Sequence, residues 1–225
     1  ENRTLGSKKI TEITPKSTII FDDIFQHRKI KPSLSILTTP YGDPFYKDHV
    51  LPAGRLREPR KNAHRADCIV VTKCPKSLTV SDYNTIKNKL SKFSKPIFFS
   101  HIDYGEMTPF KDEKQHIKNI LLVTGIVDPS HLIQHLKDKY KIQSISFPDH
   151  HAFTKKDIDK IHEKFDTFDP KESIILTTEK DKARLSKFDV LIAKNGASWY
   201  YQPIGISIHD KAQFESLIKE HVRKV

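Results

Sequence analysis

The chain has 225 residues, 36% of them hydrophobic and 30% charged, and a formal net charge of +11. That length gives core enough for one large domain or two small ones, and no apolar run approaches the roughly 20 residues a membrane-spanning helix needs. Two cysteines, Cys68 and Cys74, fit neither a disulfide scaffold nor a zinc site, which points to a reducing compartment.

The basic surplus favours anionic partners: nucleic acid, phosphorylated metabolites or anionic lipid head groups. It does not choose among them. Residues 1–20 hold no apolar stretch of the signal-peptide kind, so any membrane contact is expected to be peripheral.

In chain order, short branched apolar runs predict strands at 18–22, 34–38, 68–72, 97–101, 120–125, 142–147, 174–177 and 190–193. They are apolar on both faces, as strands of a covered parallel sheet are. Helical spacing predicts helices between them. Tyr83, Ile86, Leu90 and Phe93 share a stripe over 81–93, and Leu132, Ile133, Leu136 and Tyr140 do so over 130–140. Ile158, Ile161, Phe165 and Phe168 mark 155–168, and Phe214, Leu217, Ile218 and Val222 mark 211–225. Thr79, Thr154 and Asp210 stand where N-caps belong.

The alternation argues an α/β architecture. A polar, aperiodic stretch at 104–119 is the expected domain junction, with a β-α-β-α-β unit from 119 to about 193 after it. The run 199–209 is expected to return as a strand beside 96–104, a two-stranded connection between the halves.

Four stretches carry candidate chemistry. In "STIIFDDIFQH" an apolar run ends in Asp22 and Asp23, followed by Gln26 and His27. Ligands of open parallel sheets bind beyond the carboxyl ends of strands, and a carboxylate there suits Mg²⁺ in the manner of a nucleotide hydrolase or kinase. A solvated acidic turn that caps backbone N–H groups fits the pattern equally. "LPAGRLREP" is a loop with Arg55, Arg57 and Glu58. Its arginines suit phosphate or carboxylate, though an exposed charged loop is the simpler reading. "FPDHHAF", at 147–153, again ends an apolar run in titratable residues. Its Asp–His arrangement suits orienting an imidazole or tuning a carboxylate base; a turn with two surface histidines fits as well. In "LTTEKDKARL", Thr178, Lys180 and Asp181 are placed to meet phosphate or an adenine ring, or to cap the next helix.

His131 and His135 stand at i, i+4 on an expected helix, without a third metal ligand in view. Trp199, Tyr200 and Tyr201 suit core packing or strand pairing better than base stacking. A Walker-B reading of Asp22 and Asp23 also demands a phosphate-cradling G-x-x-x-x-G-K-[ST] loop. The chain has 7 glycines and none in that pattern; Gly6-Ser7-Lys8-Lys9 resembles it only superficially.

Together, "DDIFQH", "LPAGRLREP" followed by "RADCIVVTK", "FPDHHAF" and "TTEKD" occur in one order. In that order the chain resembles the tetraacyldisaccharide 4'-kinases, the lipid A 4'-kinases of bacterial outer-membrane biosynthesis, over nearly its whole length. The resemblance implies an α/β fold: an α/β/α sandwich with a mostly parallel sheet, belonging to a P-loop kinase core that is incomplete here. A two-stranded linker would join it to a second, smaller α/β domain, and the domains would close around nucleotide. It implies that 1–104 is the C-terminal portion of the core, 105–198 the second domain, and 199–225 the return strand and terminal helix. The P-loop, an amphipathic membrane-associating helix and the catalytic-base Asp are expected upstream, which makes these 225 residues alone inactive.

The implied activity is transfer of the ATP γ-phosphate to the 4'-hydroxyl of tetraacyldisaccharide 1-phosphate, with Mg²⁺. The implied place is peripheral, on the anionic cytoplasmic face of the inner membrane, as a monomer that binds no nucleic acid. Asp22, Asp23 and His150 match catalytic positions, with His150 paired to the catalytic Asp. Gln26, His27 and Arg57 match substrate-binding positions, Lys180 and Asp181 the nucleotide side, and Asp23 with Glu58 the metal side. Ile24 departs from the family, where many members have Gly, which bears on the turn after the acidic pair. The competing class is a non-catalytic α/β module that binds nucleotide or a polyanion; the scattered basic residues and the lack of a nucleic-acid motif speak against it.

Overall fold

The computed structural model describes residues 3–15, 17–111, 116–194 and 197–223. The chain forms two compact units: Glu1–Ile102 with Ile206–Val225, and Asp103–Gly205 between them in sequence. Each is a mixed α/β structure with mostly parallel strands, as the alternating pattern predicts.

The first unit opens with helix α1 (Arg3–Ile13). Its sheet holds β1 (Ile36–Pro40), β2 (Cys68–Thr72), β3 (Ile97–Tyr104) and β9 (Ile204–Ile208), in the order β1-β2-β3-β9. β1–β2 and β2–β3 are parallel. Alternate residues of β2 face opposite ways. Ile69 and Val71 pack with Phe99 against Ile86 and Leu90 of α2 (Val80–Leu90). Cys68 and Val70 pack with Phe98 toward Phe214 and Leu217 of α7 (Lys211–Arg223). Helices therefore cover both faces, which is why β2 reads as an unbroken apolar run.

The second unit has β4 (Thr108–Pro109), β5 (Asn119–Thr124), β6 (Lys141–Ser146), β7 (Ser173–Thr178) and β8 (Trp199–Gln202). Their order is β4-β8-β7-β5-β6. All neighbours are parallel except β4–β8. Leu121, Val123, Ile175 and Trp199 pack with Ile158, Ile161 and Phe165 of α4 (Lys155–Phe165), Leu185 of α5 (Glu179–Leu185) and Ile192 of α6 (Asp189–Lys194). On the other face, Ile120, Leu122, Ile174 and Leu176 meet Leu132 and Leu136 of α3 (Ser130–Leu136). Thr79 and Thr154 each close a capping box, with Asp82 and Asp157.

Three expectations differ. Residues 18–22 form no strand: no neighbour supplies a hydrogen-bonding ladder among the described residues, and Ile20 is 91% exposed. Residues 190–193 lie in helix α6, where Ile192 is buried and Val190 exposed; a four-residue apolar run does not distinguish strand from helix. The run 199–209 breaks at Pro203, which has no N–H to give a ladder. Its first part, β8, joins the second sheet, and only β9 neighbours β3. The Gly6–Lys9 stretch lies inside α1 and is no phosphate loop. No helix among the described residues is long and apolar enough to cross a membrane.

Candidate functional site

In the first unit the acidic turn meets the arginine loop. Asp23 has φ 48°, a left-handed conformation that few residues other than Gly adopt and that Asp tolerates better than most. Arg3 Nη1 donates to the Asp23 carbonyl at 3.1 Å. The Asp23 carboxylate pairs with Arg57 Nη1 at 3.0 Å, both side chains being mostly exposed.

The loop that presents Arg57 is built on Asp48 and Gly54. The Asp48 carboxylate accepts from the backbone N–H of His49 at 2.7 Å and lies 3.3 Å from Arg55 Nε; these contacts, the His49 bond foremost, hold its carboxyl below the usual range. A Cβ on Gly54 would run into Asp48 and the His49 backbone, so only glycine lets the loop close this tightly.

Glu58, beside Arg57 in the chain, is held among cations. Arg65 reaches its two oxygens at 2.6 and 2.9 Å, Asn62 donates at 2.8 Å, and Arg28 lies 3.5 Å away. The Arg65 bonds lead in holding the Glu58 carboxyl below its ordinary range, against the opposing effect of burial. Arg65 also donates to the Phe25 carbonyl at 2.8 Å, with its guanidinium over the Phe25 ring. The DDIFQH stretch and the LREP loop are thus clipped together.

The second cluster stands where the order of the second sheet reverses. β5 connects to β6 on one side, and the chain then crosses back to β7 on the other. A crevice at the carboxyl ends of β5 and β7 follows from that topology. Gly125 after β5, the loop 147–153 after β6 and the start of α5 after β7 all lie at those ends.

The carboxylate of Asp181 is fully buried and satisfied from within. It accepts from Gly125 N at 2.9 Å, Thr178 Oγ1 at 2.8 Å and Arg184 Nη1 at 3.0 Å. Buried charge persists only when paired and hydrogen-bonded in this way. Arg184 reaches on to His150, with Nη2 3.0 Å from Nδ1. Lys180 Nζ lies 3.5 Å from His150 Nε2 and 3.7 Å from Asp149.

The two adjacent histidines divide sharply. His151 stacks on Phe147 and bonds Asp157 of α4 at 3.0 Å, which fixes the loop to the capping box. Burial tends to raise the Asp157 carboxyl, but the His151 and Thr154 bonds outweigh it and leave it below the ordinary range. His150 has φ 58° and a side chain 71% exposed.

A sequence model of the family described as tetraacyldisaccharide-1-P 4'-kinase matches residues 1–223. The chain belongs to this family. The tetraacyldisaccharide 4'-kinase of Bacteroides thetaiotaomicron is 38% identical over all of this chain and 64% of its own length. That of Flavobacterium psychrophilum is 36% identical over 98% of this chain and 64% of its own length. A crystal structure of LpxK from Aquifex aeolicus in complex with ATP matches with a TM-score of 0.62 and 25% identity, covering 98% of this chain and 62% of that one. The chain therefore spans under two thirds of the length of these relatives.

In this 4'-kinase family member the motif residues fall into two clusters. Asp23, Arg57 and Glu58 come together in the first unit with Arg65. Asp22 joins them through its backbone, its carbonyl 3.5 Å from Arg3. Gln26 and His27 follow in the same turn, where His27 N donates to the Ile24 carbonyl at 2.7 Å. His150, Lys180 and Asp181 come together in the second unit with Arg184. His135 stacks on Tyr104 at 4.3 Å rather than joining His131 as a metal pair. Among the described residues no group of three or more His, Cys, Asp or Glu is arranged to hold a metal ion. Arg65 and Arg184 escaped sequence reasoning. Both lie inside quoted stretches, Arg65 at the head of "RADCIVVTK" and Arg184 in "LTTEKDKARL", but nothing in those strings singles them out.

Proposed function

We propose that the protein of which this chain is part transfers the γ-phosphate of ATP to the 4'-hydroxyl of tetraacyldisaccharide 1-phosphate. The observation that carries this is the family match over 1–223, together with the gathering of the quoted motif residues into two polar clusters. Phosphoryl transfer needs positioning and charge neutralisation more than covalent chemistry, and both clusters are rich in arginine and carboxylate.

Asp23 fits the metal side of the reaction. Mg²⁺ takes one or two protein carboxylates and completes its shell with water and phosphate, and the Asp23 carboxylate is exposed, with one oxygen on Arg57. When bound, the ion neutralises charge developing on the phosphoryl oxygens. The oxygens of Glu58 are occupied by Arg65 and Asn62, so Glu58 serves the metal side indirectly, by holding the loop that presents Arg57. Arg57 neutralises phosphate on the acceptor, and Gln26 and His27 contact its sugar. Asp22 assists the acidic pair.

His150 orients a catalytic carboxylate, and Lys180 meets the nucleotide. Asp181, wholly buried, acts from beneath by fixing Gly125 and Arg184. The basic surplus suits a monomer working peripherally at the anionic cytoplasmic face of the inner membrane.

The test is a kinase assay on the intact protein with labelled ATP and disaccharide 1-phosphate, repeated with Asp23→Asn and His150→Ala. Asn retains the left-handed turn and the bond to Arg57 but loses the charge. Asp23→Asn is expected to cut kcat by roughly 10² or more while stability changes by less than about 0.5 kcal/mol. Full turnover in both variants would refute these roles.

A further inference from the structure

Both ring nitrogens of His150 meet polar groups. Nδ1 lies 3.0 Å from Arg184 Nη2, while Nε2 lies 3.4 Å from Asp149 Oδ2 and 3.5 Å from Lys180 Nζ. A guanidinium only donates and stays charged. Nδ1 must then offer its lone pair, and the proton of the neutral ring stands on Nε2, toward the Asp149 carboxylate. The Lys180 ammonium, also donor-only, stands at the limit of hydrogen-bond reach of Nε2 and competes for the lone pair there. Arg184 makes the much shorter contact, and the one lone pair the neutral ring has to offer a cation goes to it at Nδ1.

Arg184 is itself held firmly. Its Nη1 donates to the Gly125 carbonyl at 3.1 Å and to Asp181 Oδ1 at 3.0 Å. Asp181 is anchored in turn by Gly125 N and Thr178. A line of bonds thus runs from a fully buried carboxylate, through Arg184, to an exposed imidazole in a left-handed turn. The charged groups that face the ring are Asp149 on its own loop and Lys180 and Arg184 on α5. His151, next in sequence, is turned away onto Asp157 of α4.

We infer that Arg184 is a positioning residue that locks His150 in its Nε2–H tautomer. Nδ1 is thereby barred from acting as a base, and the ring presents an N–H to a carboxylate. In the proposed kinase His150 then steadies the negative charge of a carboxylate base and does not itself take the hydroxyl proton. Only this last consequence rests on the kinase assignment. The tautomer does not.

The deciding measurement is nitrogen-15 NMR of the intact protein with labelled histidine, at a pH where imidazoles are neutral, with His150→Gln to identify the signal. The expected result is a protonated Nε2 and a bare Nδ1 in the unaltered protein. Arg184→Met, of similar length but without donors, and Arg184→Lys, without the fork, are expected to mix the tautomers. In the kinase assay the same variants are expected to lower kcat at least about tenfold with little change in KM. That is less than the ~10⁴ lost when a wrong tautomer disables a histidine that moves the proton itself.

A protonated Nδ1 in the unaltered protein, or an unchanged tautomer in Arg184→Met, overturns the inference. The spectrum of the unaltered protein decides even if a variant fails to fold. A correct tautomer with no kinase activity would instead refute the proposed function alone.

Discussion

Arg65 grips Glu58 with both terminal nitrogens, at 2.6 and 2.9 Å, and with one of them also holds the Phe25 carbonyl. One side chain thereby ties the stretch after the acidic pair to the loop that carries Arg57. A lysine keeps the charge but loses the fork and the planar stacking over Phe25. Arg65→Lys is expected to cost about 1–2 kcal/mol, since hydrogen bonds to charged groups are worth a little more than neutral ones and partial exposure screens this pair. A shift of the denaturant midpoint at constant slope would measure it. A midpoint equal to that of the unaltered protein would show that the clip contributes nothing. The Glu58 carboxyl lies below its unfolded value, so its contribution is present above about pH 4.3 and fades as pH falls through the folded value.

The elements built on long-range burial were legible because their pattern repeats on both faces. β2, β5 and β7 carry unbroken apolar runs at 68–71, 120–123 and 174–176, and α4 carries its stripe with a capping box before it. Residues 18–22 read as such a strand too, but a strand is a relationship with a neighbour, which no local pattern supplies. Residues 190–193 failed for the opposite reason: the run is too short to show its period. At the sites, the motif residues were legible as residue types in order, but their division of labour was not. Sequence does not tell His150 from His151, because stacking on Phe147 and bonding to Asp157 depend on how the loop folds. Nor does it tell an exposed Asp23 from a buried Asp181. Arg65 and Arg184 act across 7 to 40 residues of chain or through a neighbour's ring, a range at which a single sequence carries no signal.

His162 of α4 is buried in the second unit, where its Nε2 accepts from Trp199 Nε1 at 3.3 Å. Burial depresses its pKa, against a smaller opposing pull from Asp166 and Asp159. The unfolded chain therefore binds this proton more readily than the folded one. The sign follows: stability is constant above about pH 6.5, the unfolded value, and falls as pH drops toward the folded value. Trp199 is the only tryptophan, so its fluorescence reports this contact directly. Thermal melts between about pH 7.5 and 5 are expected to show a loss that His162→Gln reduces, since Gln still accepts from Trp199 but does not titrate. Equal pH slopes in the two proteins would assign the acid loss to other groups.

Cys68 and Cys74 are both free and buried, and burial pushes each thiol up to about 11. At pH 8 only about one thiol in a thousand is then the reactive thiolate, and reagent must also reach it. Neither is expected to label with a thiol reagent in the folded protein on the timescale that labels free cysteine, and both should label at once in denaturant. Rapid labelling of the native protein would mean that the β2 core opens far more readily than its packing implies.

Gly125 sits where a side chain would press on the buried, hydrogen-bonded carboxylate of Asp181. A Cβ there would lie 3.1 Å from Asp181 Oδ1, 3.5 Å from the Pro148 carbonyl and 3.6 Å from His151 Cβ. Asp181 has no room to yield without loosening Thr178, Arg184 or the Gly125 N–H itself. Gly125→Ala is therefore expected to destabilise by about 1–3 kcal/mol, the usual cost of overpacking. Through Arg184 it should also disturb His150. Gly6→Ala is the matching control. Gly6 lies within α1 with nothing within 4 Å of its would-be Cβ, so alanine should raise stability by roughly 0.5–1 kcal/mol through helix propensity alone. Opposite signs for the same added methyl group, read from paired denaturant curves, would separate close packing at the candidate site from backbone entropy. A neutral Gly125→Ala would mean that Asp181 has slack that its three internal bonds do not suggest.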